Sequence, residues 1–372
     1  MIYIIIIIAL ITIIYFCSIG WISYGFNRIR SGTNNWKEES SETKISIIIA
    51  VRNEEHNILN CLKSFQKIDY NIENFEIIIV NDHSIDSTKL VVDNFIFDSE
   101  LDIKLIDLSD KTSKKEALKY GIEEAKYEII ATTDADCVVP KNWVKNISVK
   151  FSDQTDMLIG PIVFKNAKGF LFAFQQLDMF AMQGLSFGIL NLKKPILNNA
   201  ANLAYSKKSF NDVNGFDSFS TPSGDDVFLL EKFKFKRKTI KGLLKTDFIV
   251  ETNSETTLFG FINQRLRWSS KSKYYTDKLL LFFSVIVLIQ NITLLFIYFG
   301  MLLVENYKII LIILLLSKWL IDFILLFLVA SFFKRKRALI YFIPIQAIYP
   351  IYIVGIWIFS MSKKFEWKGR TF

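Results

Sequence analysis

Five aspartates stand shortly after an apolar, strand-like run or directly after a Ser-Gly pair. They are Asp82, Asp134, Asp136, Asp225 and Asp226. Two carboxylates two positions apart after one run repel each other unless a cation lies between them. A hard divalent ion removes that cost, because it prefers carboxylate oxygens and also neutralises a phosphate leaving group. A single aspartate after a strand is more often a turn or capping residue. The combination nevertheless predicts a Mg²⁺ or Mn²⁺ site acting on a phosphorylated substrate.

The elements that must position these aspartates alternate along the first half of the polar sequence. Apolar, β-branched runs predict strands at 44–51, 75–80, 103–108 and 128–132. Helix-like runs lie between them, at 54–66 and 114–125. Continuously apolar strands separated by helices indicate a parallel sheet that is covered on both faces. Ligands of such sheets bind at the carboxyl ends of the strands, which is where the aspartates stand.

A further polar group stands in the run QRLRW. Gln264, Arg267 and Trp268 are spaced i, i+3 and i+4, so they share one face of a helix. The arginine can pair with phosphate, while the tryptophan offers a flat wall to a sugar or a lipid. The alternative is an interfacial helix with a snorkelling arginine and an anchoring tryptophan, and the two interpretations are compatible.

Taken together, these motifs resemble the membrane-bound family 2 glycosyltransferases of the GT-A fold, the group that includes ceramide glucosyltransferase, cellulose synthase and hyaluronan synthase. They follow one another as SIIIAVRNEE, VNDHSIDST, KKEAL, TTDADC, NNAANLAYSKKSF with NGF, GDD and QRLRW. The resemblance covers nearly the whole chain. It implies an α/β fold, with a GT-A (Rossmann-like) mixed sheet domain plus transmembrane helices, and a nucleotide-sugar donor.

The resemblance also assigns binding roles to residues of this sequence. The nucleotide-binding set comprises Val51, Asn53, Glu55, Asp82, Lys114 and Asp134. In this set Asp82 would contact the base and Lys114 would lie near the diphosphate. Gln264, Arg267 and Trp268 would border the acceptor and the diphosphate.

Catalytic and metal-binding roles follow from the same resemblance. Asp134 and Asp136 match a D-x-D pair, with Asp136 as the principal metal ligand. Asp226 matches the general base, and Asp225 stands beside it. Such a base would take the proton of the acceptor hydroxyl as that oxygen attacks the anomeric carbon, which gives inversion. Burial and a neighbouring charge would tune its pKa.

Apolar segments long enough to cross a bilayer occur at 2–22, 279–304, 309–333 and 338–360. The first has no positive n-region and no small-residue cleavage site, so we interpret it as a retained anchor. Arg28 and Arg30 follow it, which places the next domain in the cytoplasm by the positive-inside rule. The predicted divisions are an anchor (1–26), a cytoplasmic GT-A domain (27–253), an interfacial QxxRW helix (254–278), a C-terminal membrane region (279–362) and a basic tail (363–372).

The last apolar stretch could span the membrane or re-enter it. Pro344 and Pro350 interrupt the stretch, and a full span would place the basic tail outside, against the charge rule. We therefore favour a re-entrant hairpin or broken interfacial helices and predict a cytoplasmic C-terminus.

Two apolar segments contain charges. The Phe-rich run 169–190 has one charge, Asp178, and its pattern is compatible with an interfacial helix, which we prefer, or with a core helix. In the third apolar stretch Lys318 and Asp322 are four residues apart. They are either a functional intramembrane site or, as we favour, a mutually neutralising pair.

Composition narrows the functional classes. The 372 residues carry a net charge of +8, but the basic residues cluster beside apolar spans, so no nucleic-acid partner is predicted. Three cysteines without paired spacing and two histidines predict neither a disulfide framework nor a zinc site.

We expect a metal-dependent enzyme of the bacterial cytoplasmic (inner) membrane that transfers a sugar, from a UDP-sugar on family grounds, to a membrane lipid acceptor. The alternative is a processive polysaccharide synthase of the poly-N-acetylglucosamine or hyaluronan type. A non-catalytic sugar-nucleotide-binding membrane subunit is disfavoured because Asp136 and Asp226 are both present. The oligomeric state is left open.

Overall fold

The computed structural model describes residues 2–32, 42–109, 112–151, 154–217, 225–362, 366–367 and 370–371. The chain forms two compact units. The sheet unit consists of Gly32–Lys165, Leu197–Asn253 and Glu366–Phe372. The helical unit consists of Met1–Ser31, Asn166–Ile196 and Ser254–Phe365. This division differs from the predicted continuous domain at 27–253, because residues 166–196 belong to the helical unit.

The strands, in chain order, are β1 (Ile45–Val51), β2 (Phe75–Asn81), β3 (Ile103–Asp107), β4 (Ile129–Thr132), β5 (Met157–Ile159), β6 (Ile162–Phe164), β7 (Leu203–Ser206), β8 (Ile240–Gly242), β9 (Val250–Thr252), β10 (Glu366–Trp367) and β11 (Arg370–Thr371). The main sheet has seven strands in the order β3-β2-β1-β4-β7-β5-β8. Within it, β7 runs antiparallel to β4 and β5, whereas the other pairs are parallel. The predicted mixed α/β sheet is therefore confirmed.

The helices, in chain order, are α1 (Ile2–Gly32), α2 (Ile58–Phe65), α3 (Thr88–Phe97), α4 (Lys114–Glu124), α5 (Trp143–Phe151), α6 (Phe170–Asn191), α7 (Lys207–Asp212), α8 (Asp225–Phe235), α9 (Leu258–Ser270), α10 (Lys278–Leu303), α11 (Lys308–Phe332) and α12 (Phe342–Ser362). The predicted helix at 54–66 begins four residues late, because the backbone from Glu54 to Asn57 forms turns. The edge register pairs Val51 of β1 with Asn81 of β2. The loops that follow these two strands therefore start side by side.

Among the described residues of the helical unit, four segments are long and apolar enough to cross a membrane: Ile2–Ser31, Lys278–Leu303, Glu305–Phe332 and Lys336–Met361. Their outward-facing side chains include many exposed isoleucines, leucines and phenylalanines. An exposed apolar surface of this extent is typical of a lipid-facing bundle.

Helix α6 is the Phe-rich segment, and most of its side chains are buried. It packs against α1 through glycines: a Cβ on Gly25 would lie 2.2 Å from the carbonyl oxygen of Gly188. On another part of its surface, a Cβ on Gly184 would lie 2.9 Å from the nearest side-chain atom of Leu325 of α11. The burial of this helix fits the core-helix interpretation of 169–190, and its placement at a membrane interface stays a prediction.

The pair Lys318 and Asp322 forms an ion pair with an N–O distance of 2.8 Å. Tyr15 of α1 donates to the second carboxylate oxygen at 2.7 Å, and the side-chain amide of Gln346 donates to Asp322 at 3.1 Å. The side-chain carbonyl oxygen of Gln346 accepts from Lys318 at 2.6 Å. The charges thus neutralise each other, and two polar side chains from other helices complete the group.

The start of α12 lies beside the middle of α11. The ring centres of Phe342 and Phe323 are 5.2 Å apart. The side chain of Gln346 also accepts a hydrogen bond from Lys318. Pro350 stands inside a continuous helix, where it removes the N–H that would bond the carbonyl of Gln346. The hydroxyl of Tyr298 donates to that carbonyl instead, at 3.4 Å, so the proline is accommodated without a break.

The other end of α12 lies beside the segment that precedes α10. Ser269 donates to Ser360 at 3.1 Å, and Lys273 donates to the carbonyl of Met361 at 3.4 Å. The last turns of α10 pack with the first turns of α11, so the start of α10 and the end of α11 lie at the same end of that hairpin. Helix α12 therefore runs from mid-hairpin back to this end. The chain reverses before α12, at 333–341, rather than at prolines within it.

Candidate functional site

The loops after β1 and β2 are joined by hydrogen bonds. The amide of Asp82 donates to the carbonyl of Val51 at 2.8 Å, and Arg52 donates to the carbonyl of Asp82 at 2.7 Å. Asn53 adopts a left-handed backbone with φ of 51°, a conformation that asparagine tolerates better than most residues. Its side chain accepts from the amide of Ile85 at 2.9 Å. The two predicted nucleotide loops therefore form one cluster.

Asn53 and Glu55 organise this cluster rather than point away from it. The carboxylate of Glu55 accepts from the amide of Ser87 at 2.9 Å, while the amide of Glu55 donates to Asp86 at 3.2 Å. Burial would raise the pKa of Asp86, but hydrogen bonds from Thr88 and Glu55 bring it below its usual value. These contacts favour a positioning role for Asn53 and Glu55 in the predicted nucleotide pocket.

Asp82, which follows β2, is buried, with 2% of its surface exposed. One of its carboxylate oxygens lies 3.3 Å from Nδ1 of His83, a residue that is also left-handed, with φ of 55°. Because both loops are tied together, the carboxylate of Asp82 is held at the carboxyl edge of the sheet. Its contact with the base of a nucleotide remains a prediction.

The D-x-D pair follows β4 at the same edge. Asp134 forms an ion pair with Lys114, the first residue of α4, so the structure brings these two predicted site residues together. Asp136 accepts from the hydroxyl of Thr252 at 3.0 Å, and Lys165 donates to the backbone carbonyl of Asp136 at 3.1 Å. Thr252 belongs to β9, so this strand holds the carboxylate of Asp136 in place.

The charges around Asp136 are unbalanced in a way that fits a cation. Burial raises the pKa of Asp136, and the charges of Asp134 and Glu54 raise it further. Ligand atoms of Asp134, Asp136 and Cys137 lie within 4.8 Å of one another. Burial also raises the pKa of the Cys137 thiol well above its usual value, so this sulfur is a poor ligand for a hard ion. The two carboxylates fit Mg²⁺ or Mn²⁺.

Asp226 lies at the start of α8 and is linked to the same edge by residues 198–202. Its carboxylate accepts from the backbone amide of Ala200 at 3.3 Å, and the side-chain amide of Asn198 donates to its backbone carbonyl at 3.0 Å. In the same segment, the carbonyl of Ala200 accepts from Thr132 of β4 at 2.9 Å. The segment thus bridges the strand that carries the D-x-D pair and the predicted base.

Two predicted features fall partly or wholly outside the described residues. Asp225 begins α8, but its side chain is not among those described, and Gly224 of the GDD motif and Ser223 before it lie outside the described residues. The tail residues 363–365 and 368–369 also lie outside them.

Gln264, Arg267 and Trp268 belong to α9 of the helical unit. Gln264 donates to the carboxylate of Glu255 at 3.3 Å, and the guanidinium of Arg265 stacks 4.1 Å from the ring centre of Trp268. The structure thus shows a helix that carries all three residues. Their predicted contacts with diphosphate and acceptor remain predictions.

A buried ion pair was missed by sequence reasoning. Nε of Arg265 lies 2.8 Å from a carboxylate oxygen of Asp178, and the hydroxyl of Tyr349 donates to the other oxygen at 2.8 Å. Two signals were available: the single charge in the Phe-rich helix and the extra arginine inside QRLRW. Their separation along the chain left no local spacing that would join them.

Residues 46–213 match the family described as Glycosyl transferase family 2. The teichoic acid poly(glycerol phosphate) polymerase of Staphylococcus epidermidis is 33% identical over 119 residues, which are 32% of this chain and 16% of that protein. The poly-beta-1,6-N-acetyl-D-glucosamine synthase of the same organism is 36% identical over 95 residues, which are 26% of this chain and 22% of that protein. The chain therefore spans less than a quarter of the length of either relative.

Among solved structures, the mannosyltransferase PcManGT from Pyrobaculum calidifontis, in complex with GDP-Man and Mn²⁺, is similar with a TM-score of 0.58. It is 14% identical, and the match covers 95% of this chain and 99% of that one. At this identity the likeness concerns the fold. The chain thus contains a domain that matches glycosyl transferase family 2, carried on a seven-stranded mixed sheet of the GT-A type.

Proposed function

We propose that this protein is an inverting glycosyltransferase that moves a sugar from a nucleotide-sugar, of the UDP class, to a hydroxyl of a membrane lipid. The observation that carries the proposal is the cluster at the carboxyl edge of the sheet. There the D-x-D pair, Lys114 and Asp226 are held by β4, β9 and residues 198–202. The D-x-D pair and Lys114 lie within the residues that match the family, and such an edge is where α/β sheets bind ligands.

A divalent cation would be held by Asp134 and Asp136. When bound, Mg²⁺ or Mn²⁺ would neutralise charge on the leaving nucleoside diphosphate. Lys114 adds a positive charge beside Asp134, which suits a diphosphate. The mannosyltransferase neighbour was solved with Mn²⁺, and this observation supports the same class of ion here.

Asp226 would act as the general base. Its carboxylate would take the proton of the acceptor hydroxyl while that oxygen bonds to the anomeric carbon and the nucleoside diphosphate leaves from the opposite side. The N-terminal end of α8 stabilises the negative charge on Asp226, and its two backbone amide contacts fix the orientation of the carboxylate. A base held this rigidly loses little freedom in the reaction.

A lipid acceptor is favoured by the helical unit, whose four membrane-length segments and exposed apolar side chains suit a protein that draws its acceptor from the bilayer. A polysaccharide synthase is the second candidate, because one relative is a poly-beta-1,6-N-acetyl-D-glucosamine synthase. Both functions need the same site at the edge of the sheet, and they differ in the product.

Product analysis separates these functions. Membranes containing the full-length protein are incubated with labelled nucleotide-sugars, and lipid and polymer fractions are then separated. We expect one labelled sugar per lipid molecule. A ladder of polymer lengths would support the synthase, and no incorporation from any donor would support a non-catalytic sugar-nucleotide-binding subunit.

Replacing Asp226 tests the assignment of the base. Asp226→Asn keeps the size of the side chain but removes the proton acceptor, so we expect transfer to fall by at least 100-fold, in line with the usual contribution of general-base catalysis. Nucleotide binding, followed by calorimetry, should be unchanged. Asp212→Asn is the matched control, because Asp212 is an exposed carboxylate paired with Lys238 in the same unit. Unchanged turnover in Asp226→Asn would remove Asp226 from the mechanism.

A further inference from the structure

A cavity of about 170 Å³ lies inside the helical unit, among α1, α6, α10, α11 and α12. Most of its lining is apolar, with side chains such as Ile22, Leu185 and Leu325. On α6 the lining residues Leu177, Ala181 and Leu185 are spaced i, i+4 and i+8, so one face of that helix forms a wall. These walls suit a hydrocarbon chain, since apolar surface binds apolar surface in a preformed pocket.

One part of the lining is polar, and it contains two carboxylates, Asp178 and Asp322. Asp322 accepts from Tyr15, Lys318 and Gln346. Each carboxylate has a buried basic partner, so each of the two ion pairs is neutral.

Asp178, like Asp322, accepts hydrogen bonds from side chains of other helices. It accepts from Tyr349 and Tyr352 and is paired with Arg265. An ionised carboxylate has about four acceptor positions, so each aspartate keeps room for one more donor. The tyrosine hydroxyls already donate hydrogen bonds to these carboxylates, and the polar wall therefore offers acceptors to a ligand.

We propose that this cavity binds the hydrocarbon chain of an uncharged membrane lipid alcohol, with the lipid hydroxyl donating to Asp178 or Asp322. A phosphorylated lipid would bring negative charge towards two carboxylates without a compensating cation, which is unfavourable in a low-dielectric interior. An ammonium head would add an unbalanced positive charge to two neutral pairs. The inference deepens the proposed function and rests on it only for the statement that the bound lipid is the sugar acceptor.

Lipid photolabelling tests the site without any nucleotide-sugar. The full-length protein in nanodiscs is irradiated with a diacylglycerol that carries a diazirine on its acyl chain, and labelled peptides are identified by mass spectrometry. We expect labels on the cavity faces of α6 and α11. Unlabelled diacylglycerol should compete, whereas a polyprenyl phosphate at the same concentration should not.

Cavity variants provide the control. Ala181→Phe fills the cavity and should reduce labelling by at least tenfold, whereas Leu320→Phe, on the exposed side of α11, should leave it unchanged. Leu185→Ala enlarges the cavity and should retain the label, which covers the case in which Ala181→Phe folds poorly. Equal labelling in Ala181→Phe and Leu320→Phe, or equal competition by polyprenyl phosphate, would overturn the proposal.

The same assay separates this inference from the proposed function. Asp226→Asn should be labelled like the unaltered protein. Normal labelling, together with a failure of the active enzyme to glycosylate the bound lipid, would support the cavity site and reject its lipid as the acceptor.

Discussion

Single carboxylates in the sheet unit differ in what their surroundings do to them. Asp86 is stabilised as an anion by hydrogen bonds from Thr88 and Glu55. The ionised form of Asp136 is disfavoured by burial and by the charges of Asp134 and Glu54. A residue whose ionised form is disfavoured by the fold marks a functional candidate, since the fold has retained that cost. This contrast supports the proposal that Asp136, unlike Asp86, holds a ligand.

Replacing Asp136 should therefore stabilise the metal-free protein. The pKa of Asp136 is raised by folding, so its ionisation costs stability at pH values above that raised pKa. Asp136→Asn keeps an oxygen for the bond from Thr252 and should raise Tm at pH 7 by about 2–4 °C per kcal/mol gained. The gain should shrink as the pH falls through the raised pKa, where the native carboxyl is protonated too.

Metal addition provides the control for this variant. Mn²⁺ should raise Tm of the unaltered protein, because a ligand that binds only the folded state stabilises it. It should not do so in Asp136→Asn. A fall in metal-free Tm for Asp136→Asn at pH 7 would show that Asp136 is not strained by its neighbours.

The helices of the helical unit are held together by small residues and by buried polar groups. The backbones of α1 and α6 meet at Gly25 and Gly188, and close approach at small residues is a usual mode of packing for membrane helices. The burial of α6 was not predictable from its sequence. Apolar residues are distributed evenly around this helix, because a helix covered on several sides lacks an amphipathic stripe. The pair Lys318 and Asp322 was predicted correctly, since its spacing of four residues is a local signal.

A glycine pair tests the contact between α1 and α6. A Cβ on Gly188 would lie 2.5 Å from the carbonyl oxygen of Ile22, so Gly188→Ala should destabilise the protein by about 1–3 kcal/mol, as overpacking does. Gly355→Ala in α12 meets no atom within 4 Å and should stabilise by about 0.5–1 kcal/mol through helix propensity. Thermal unfolding in detergent compares the two, and equal effects would contradict the close approach.

At the scale of the whole molecule, the sheet and the positions of the D-x-D pair were predictable, because apolar strands and strand-end aspartates are local patterns. The bridge formed by residues 198–202 between β4 and Asp226 was not, since its bonds join residues far apart in sequence. The course of α12 was predicted only in part. Its prolines suggested a reversal, but Tyr298 satisfies the carbonyl that Pro350 leaves unbonded.

The position of the C-terminus can be measured directly. The end of α12 lies beside Ser269 and Lys273, just before α10 begins, and we expect this end of the bundle to face the cytoplasm. A C-terminal cysteine tag, in a variant lacking Cys17, should react with a membrane-impermeant maleimide only after the cells are opened. Labelling of intact cells would place the tail outside and contradict the re-entrant course.

The position of α6 in the chain affects which fragments of the protein can be expressed. Residues 166–196 interrupt the sequence of the sheet unit but belong to the helical unit, so we expect that removing both ends of the chain does not yield a water-soluble protein. A fragment of residues 42–253 would expose the faces of α6 that pack on α1 and α11, and we expect it to aggregate on expression. Joining Lys165 to Leu197 by a short glycine-serine linker should restore solubility, which the yield after ultracentrifugation would show.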